Sequence, residues 1–194
     1  MIDVIGTDAG APGSLPDALQ ILVRQAHLIA APQRMRPALE QWLDHSCSAT
    51  CISSDDPIAL CHNLSALNDQ QRAVVLASGD PLWFGIGRIL LERIGRERLR
   101  FHPGPSSLQL AFARLGKPWQ SAEWISLHGR DSAPLSQRLQ QRPKALAVLT
   151  DPSRGGVEDV RRILNASGLE SCYALWLCEA LGHGDERVQR LQPS

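Results

Sequence analysis

The sequence predicts an α/β protein made of two α/β domains. Three observations predict it. Short apolar, β-branched runs alternate along the chain with segments of helical periodicity. Most of those runs end abruptly in Gly, Pro, Ser or Asp. A polar, proline-bearing turn, "GKPWQSAE" (116–123), divides the chain into an N-terminal domain (1–116) and a C-terminal domain (117–194), with about four strands on each side.

The elements follow in order. "IDVIG" (2–6) is a strand closed by glycine, and Leu15, Ala18, Leu19, Leu22 and Ala26 then recur at helical spacing. "LIAA" (28–31) is a short strand, and "PQRMRPALEQWL" (32–43) a helix with a proline start. "DPIALCHNLSAL" (56–67) is a helix with Asp56 as N-cap and Pro57 at the first helical position. "AVVLA" (73–77) is an unbroken apolar run, the pattern of a strand covered on both faces. A helix starts near Ile86, "RLRFH" (98–102) is a strand, and "PSSLQLAFARLG" (105–116) is a helix with Gly116 as C-cap. Strands at 123–128, 145–150 and 172–179, a helix at 155–168 and an alternating edge strand at 186–191 complete the chain. The tryptophans Trp42, Trp119, Trp124 and Trp176 read as core or interface residues.

Composition narrows the function. The 20 Lys and Arg residues balance 20 Asp and Glu, so the chain has no excess cation for a broad grip on nucleic acid or anionic membrane. No apolar run approaches the ~18 residues of a membrane helix. The N-terminus has no basic segment followed by an apolar one, so a cytoplasmic location is expected. The five cysteines are an odd number and read as reduced thiols. Cys47, Cys51, Cys61 and His62 fit no standard zinc spacing, and no metal is expected.

In an open α/β sheet, ligands bind beyond the carboxyl ends of the strands. The segments that leave those ends are "GTDAGAPGSL", "SGDPLWFGIG", "PGPSSLQ", "LHGR", "LTDPSRGG" and "CEALGHGDER". Glycine admits a ligand close to the backbone and frees amide N–H groups for its oxygens. In "SGDPLWFGIG", Asp80 adds a carboxylate suited to an ammonium or a ribose hydroxyl. The same residues also suit a tight turn with Asp80 as cap and Pro81 starting the helix. Trp83 suits either stacking on a ligand or burial. The glycines at 6, 10 and 13 miss the dinucleotide spacing, and no phosphate-loop GK[ST] is present.

Together "VVLASGDPLWFGIGR", "HPGPSSLQLAFARLGKPW", "ISLHGR", "LAVLTDP" and "CEALGHGDERV" resemble the tetrapyrrole methylases, methyltransferases that use S-adenosylmethionine. The likeness runs from residue 1 to about 191. Within the family it is to the C5-methylating module of precorrin-6Y C5,15-methyltransferases of cobalamin biosynthesis. The resemblance implies two α/β domains with the cofactor in the cleft between them. It implies that Ser78, Gly79, Asp80 and Trp83 line the methionine part of S-adenosyl-L-methionine, with Ser106 and Ser107 beside it. Thr150, Leu181 and Gly182 are implied at the adenosine end. Asp8, His128 and Arg130 are implied on the side of the precorrin substrate, where arginine forks onto carboxylates. Asp8 and His128 are also the weak candidates for a catalytic base; as ordinary residues they read as a turn aspartate and a hydrogen-bonded histidine. The loop Gly6-Thr7-Asp8-Ala9-Gly10 departs from the G-x-G-P-G of relatives. Relatives also add one more strand past Leu191, so the C-terminal domain is expected to lack it. A homodimer and a separate C15-methylating, decarboxylating domain or protein are expected as partners. A non-catalytic cofactor-binding module, or a methyltransferase of this fold acting on RNA or protein, stays open as an alternative.

Overall fold

The computed structural model describes residues 1–7, 12–43, 48–127 and 132–192. Contacts divide it into two compact units, Met1–Ser107 with Gly182–Gly184, and Leu108–Leu181 with Asp185–Ser194.

The first unit is organised by a five-stranded parallel sheet. Its strands are β1 (Ile2–Thr7), β2 (Leu28–Ala31), β3 (Thr50–Ser53), β4 (Ala73–Ser78) and β5 (Leu99–His102), in the spatial order β3-β2-β4-β1-β5. Alternation along the strands sorts their side chains to two faces. Ile2, Val4, Leu28, Ala30, Ala73 and Val75 pack against Leu60, Cys61 and Leu64 of α3 (Pro57–Ser65) and Leu90 of α4 (Gly87–Ile94). Ile5, Ile29, Ala31, Val74 and Leu76 pack against Val23 of α1 (Asp17–Arg24) and Leu39 of α2 (Arg36–Trp42). The unbroken apolar run at 73–77 is therefore a central strand covered on both faces, as its pattern requires. Cys51 packs on the α1/α2 face and Cys61 on the α3/α4 face, so the sheet itself separates these two thiols.

Chain direction reverses at the middle of this sheet. From β1 the chain passes over β4 to reach β2, and from β4 it passes over β1 to reach β5. The adjacent carboxyl ends of β1 and β4 thus form a topological switch point.

The second unit contains the parallel pair β6 (Glu123–Ser126) and β7 (Leu146–Leu149) and the antiparallel pair β8 (Leu175–Glu179) and β9 (Arg187–Leu191). Its core joins Leu127 to Leu135 and Leu139 of α6 (Ala133–Gln140) and to Val160, Ile163 and Leu164 of α7 (Gly156–Ala166). Arg114, on α5 (Ser107–Arg114), makes a two-pronged ion pair with Glu186 through Nε–Oε1 at 2.5 Å and Nη2–Oε2 at 3.1 Å. Arg187 pairs with Glu179 directly across the β8–β9 ladder.

Several local signals act as read. Asp56 caps α3 by accepting from the amides of Ile58 at 2.9 Å and Ala59 at 3.1 Å. Gly116 takes φ +61° and ends α5 in paired closing bonds, Gly116 N to Ala113 O and Lys117 N to Phe112 O. Other features differ. β3 and α6 were not expected, because "TCIS" mixes polar with apolar residues at a partly exposed edge and the short helix "APLSQRLQ" carries a proline in its first turn and few apolar residues. Trp119, Trp124 and Trp176 are 44%, 46% and 40% exposed, so they are not core of this chain. Trp42 is half-buried and its ring lies under the Arg24 guanidinium, 3.9 Å from its centre.

Truncating Leu76, which is 1% exposed, to alanine is expected to cost ~2–5 kcal/mol in urea unfolding. Ile58→Ala, at a side chain 78% exposed, is expected to stay within ~0.5 kcal/mol of the parent.

Candidate active site

The carboxyl ends of β1, β4 and β5 meet backbone to backbone. The Gly79 amide donates to the Thr7 carbonyl at 2.6 Å, extending the β1–β4 ladder by one residue. A Cβ on Gly6 would stand 2.4 Å from both the Gly104 nitrogen and the Gly79 carbonyl oxygen. A Cβ on Gly104 would stand 2.5 Å from the Gly6 carbonyl carbon. No residue larger than glycine fits at either position, since real Cβ contacts do not fall below ~3 Å without something shifting. Gly79 sits at φ +70°, the left-handed region, beside Pro105 and Ser106.

The loop after β4 departs from a simple helix cap. Asp80 Oδ1 accepts from the Leu82 amide at 2.8 Å, an Asx turn. Pro81 does not begin the helix. α4 starts six residues later at Gly87, whose amide donates to the Pro81 carbonyl at 2.8 Å. The chain between them folds into successive turns and holds Phe84 at φ +53°. Trp83 is half-buried and meets the Phe84 ring edge-on at 5.0 Å. Ala180, one residue before Leu181, also has positive φ, at +48°. Among the described residues the only other non-glycine of this kind is Arg142, so two of three lie in loops the sequence singled out.

The sequence-selected residues divide between the units. Ser78, Gly79, Asp80 and Trp83 follow β4, while Ser106 and Ser107 follow β5; the first unit brings both groups to one end of its sheet. Ser106 is buried and Ser107 begins α5. Thr150 follows β7 and Leu181 follows β8 in the second unit, and Gly182, at φ +83°, is counted with the first. Asp8, His128 and Arg130 lie outside the described residues. Sequence reasoning missed Gly6 and Gly104 as a close contact and Met35 as a neighbour of the site. The available signal for the glycines was their place at the end of one β-run and just beyond another. Met35 Sδ receives the Thr7 hydroxyl at 3.9 Å, a contact no spacing announces.

Chemically, this end offers small residues and the Asp80 carboxylate. Burial pushes the Cys61 and Cys178 thiols up, so neither supplies a thiolate near neutral pH. The arrangement suits binding and alignment of a polar ligand rather than attack by a side chain.

Residues 1–192 match the family description Tetrapyrrole (Corrin/Porphyrin) Methylases. The chain belongs to the tetrapyrrole methylase family. Among curated relatives, it is 40% identical over 115 residues to precorrin-6Y C(5,15)-methyltransferase [decarboxylating] of Sinorhizobium, covering 59% of this chain and 27% of that protein. It is 39% identical over 121 residues to cobalt-precorrin-7 C(5)-methyltransferase of Salmonella typhimurium, covering 62% of this chain and 58% of that one. The matches thus span less than two thirds of those relatives. Among solved structures, the fold is shared with cobalt precorrin-4 methyltransferase at TM-score 0.77 and 16% identity, covering 99% of this chain and 85% of that one. It is shared with the precorrin-6Y methylase of Archaeoglobus fulgidus at TM-score 0.69 and 20% identity, covering 100% and 89%. In this tetrapyrrole methylase the switch point of the first unit carries the glycine contact described above.

Gly6→Ala and Gly104→Ala are each expected to destabilise the protein by more than ~2 kcal/mol, because the added Cβ meets backbone that only strand separation relieves. Gly184→Ala, where an added Cβ meets nothing within 4 Å, is the control and is expected to leave the thermal midpoint within ~2 °C.

Proposed function

We propose that this chain transfers a methyl group from S-adenosyl-L-methionine to a precorrin, at C5 of precorrin-6Y, in cobalamin biosynthesis. One observation carries the reading: the close glycine contact and the Asx loop stand at the switch point of a tetrapyrrole methylase whose curated relatives are named for C5 methylation.

The described residues fit the cofactor. Ser78, Gly79 and Asp80 offer a loop with no bulk at its centre, suited to the carboxylate and ammonium of a methionine. Asp80 binds its own turn through Oδ1, and its Oδ2 makes no hydrogen bond with a described residue, which suits an ammonium. Trp83 is half-buried, with ring surface left for packing. Ser106 and Ser107 approach from the β5 side, and Thr150, Leu181 and Gly182 are assigned to the adenosine end through their backbones. Bound S-adenosylmethionine supplies a methyl already activated on a sulfonium. The protein's part is alignment of the acceptor carbon and exclusion of water. Asp8, His128 and Arg130 are assigned to the substrate side, with Asp8 or His128 as the proton acceptor. The domain division at 116/117, a homodimer, a cytoplasmic location and a partner activity at C15 belong to the same proposal. Among the described residues no helix is long and apolar enough to cross a membrane.

Calorimetry is expected to show S-adenosylmethionine binding in the ~1 μM–1 mM range of enzyme substrates, weakened about tenfold or more by Asp80→Ala, as for loss of a charged hydrogen bond. Absence of binding at millimolar cofactor overturns the reading. Incubation with precorrin-6Y is expected to add one methyl without loss of carbon dioxide, read by mass spectrometry. Cofactor binding without turnover points instead to a binding module.

A further inference from the structure

The charges at the carboxyl end of the first sheet are unevenly used. Asp55, after β3, accepts from the Gln33 amide at 2.9 Å and the Ser53 hydroxyl at 3.0 Å. Asp56 caps α3 and Asp80 caps its own loop. Arg36, in the first turn of α2, pairs with Glu40 at 2.9 Å, and Arg88, in the first turn of α4, pairs with Glu92 at 2.8 Å. Each acid named is turned onto nearby backbone or hydroxyl groups, and each of those two arginines has a carboxylate four residues on. Arg34 is different. It is exposed, and it makes no hydrogen bond or ion pair with a described residue.

Arg34 is also held in place by its neighbours. It lies in a single 3-10 turn, Gln33–Met35, that follows the carboxyl end of β2. On one side the Gln33 amide is bound by Asp55. On the other, Met35 is buried, its amide donates to the Pro32 carbonyl at 2.8 Å, and its sulfur receives the Thr7 hydroxyl. Thr7 pairs in register with Ser78, the first residue of the candidate cofactor loop. The backbone of Arg34 is therefore fixed one residue from a side chain that touches the switch point. An exposed guanidinium with no ion pair to a described residue can fork onto a carboxylate without first breaking such a pair, and its backbone is already placed.

We propose that Arg34 binds a carboxylate of the tetrapyrrole substrate and helps set its orientation at the carboxyl ends of β1 and β4. The proposal rests on the function reading above, since a precorrin carries several carboxylate side chains and the cofactor's methionine end is assigned to other residues. Arg34 is a substrate-binding residue here, with no part in holding S-adenosylmethionine. Recognition of this kind weakens as salt screens it.

The test compares the parent protein with Arg34→Ala, Arg34→Lys and, as an exposed control, Arg162→Ala. Quenching of tryptophan fluorescence reads precorrin-6Y binding, and calorimetry reads S-adenosylmethionine binding. Arg34→Ala is expected to raise the precorrin Kd and KM about tenfold or more, the loss of a charge-assisted fork, with kcat changed less than KM. Arg34→Lys is expected to restore part of the affinity. Cofactor affinity and Arg162→Ala are expected to match the parent, and the parent's advantage over Arg34→Ala is expected to shrink as salt rises. Unchanged precorrin binding in Arg34→Ala overturns the role of Arg34 while leaving the function reading intact. Equal weakening of cofactor and precorrin also overturns it, because the residue then supports the fold of the site. If the parent binds S-adenosylmethionine but not precorrin-6Y, the substrate reading falls. Uroporphyrin, an octacarboxylate tetrapyrrole, is then titrated in its place. Weaker uroporphyrin binding by Arg34→Ala upholds the arginine's role, and equal or absent binding overturns it.

Discussion

Everything proposed for this protein depends on how closely three strand ends approach one another. Gly6, Gly79 and Gly104 stand where β1, β4 and β5 finish, and there is no room for a side chain on Gly6 or Gly104. The contact sets the separation of the loops that leave those strands. A wider separation would break the Gly79–Thr7 bond and uncouple the Asp80 loop from the end of β1. Glycine's loss of chain entropy on folding is the cost of this arrangement.

The sheet below the contact makes that precision possible. Its central strands are buried on both faces by helix pairs, and Val4, Ile5, Ile29, Ala30 and Val75 are fully enclosed. Close-packed interiors resist small shifts. Strand ends anchored in such a core hold position, while the loops beyond them carry unusual conformations such as the left-handed Phe84. The Asx turn at Asp80 and the cap at Asp56 then fix loop direction at low cost. Asp55, Asp56 and Asp80 each accept from a backbone amide, Asp80 through Oδ1 alone, and Arg34 makes no ion pair with a described residue.

Legibility in the sequence followed the range of the interaction involved. The run at 73–77, the cap Asp56-Pro57 and the closing Gly116 rest on contacts within a few residues, and each appears where its pattern placed it. The glycine-rich strand ends drew attention to the loop after β4 for the same reason. β3 escaped because "TCIS" mixes polar with apolar residues at a partly exposed edge, so no apolar run marks it. Trp124 and Trp176 read as core or interface because bulk and apolarity are visible in sequence and facing is not; both side chains are exposed on this chain, so they are not part of its core.

The sequence by itself determined the class of fold, most of the strands and helices, the family, and the loops in which ligand chemistry concentrates. Periodicity, capping and turn chemistry are local, so a linear reading reaches them. Only the tertiary structure decided that Gly6 and Gly104, nearly a hundred residues apart, touch through their backbones. It alone set Met35 on Thr7, placed Arg34 in the turn beside Met35, and brought the Asp55 carboxylate onto the Gln33 amide. Strand order fixes each of these, and strand order is settled by burying both faces of one sheet at once, a condition that no short stretch of sequence contains.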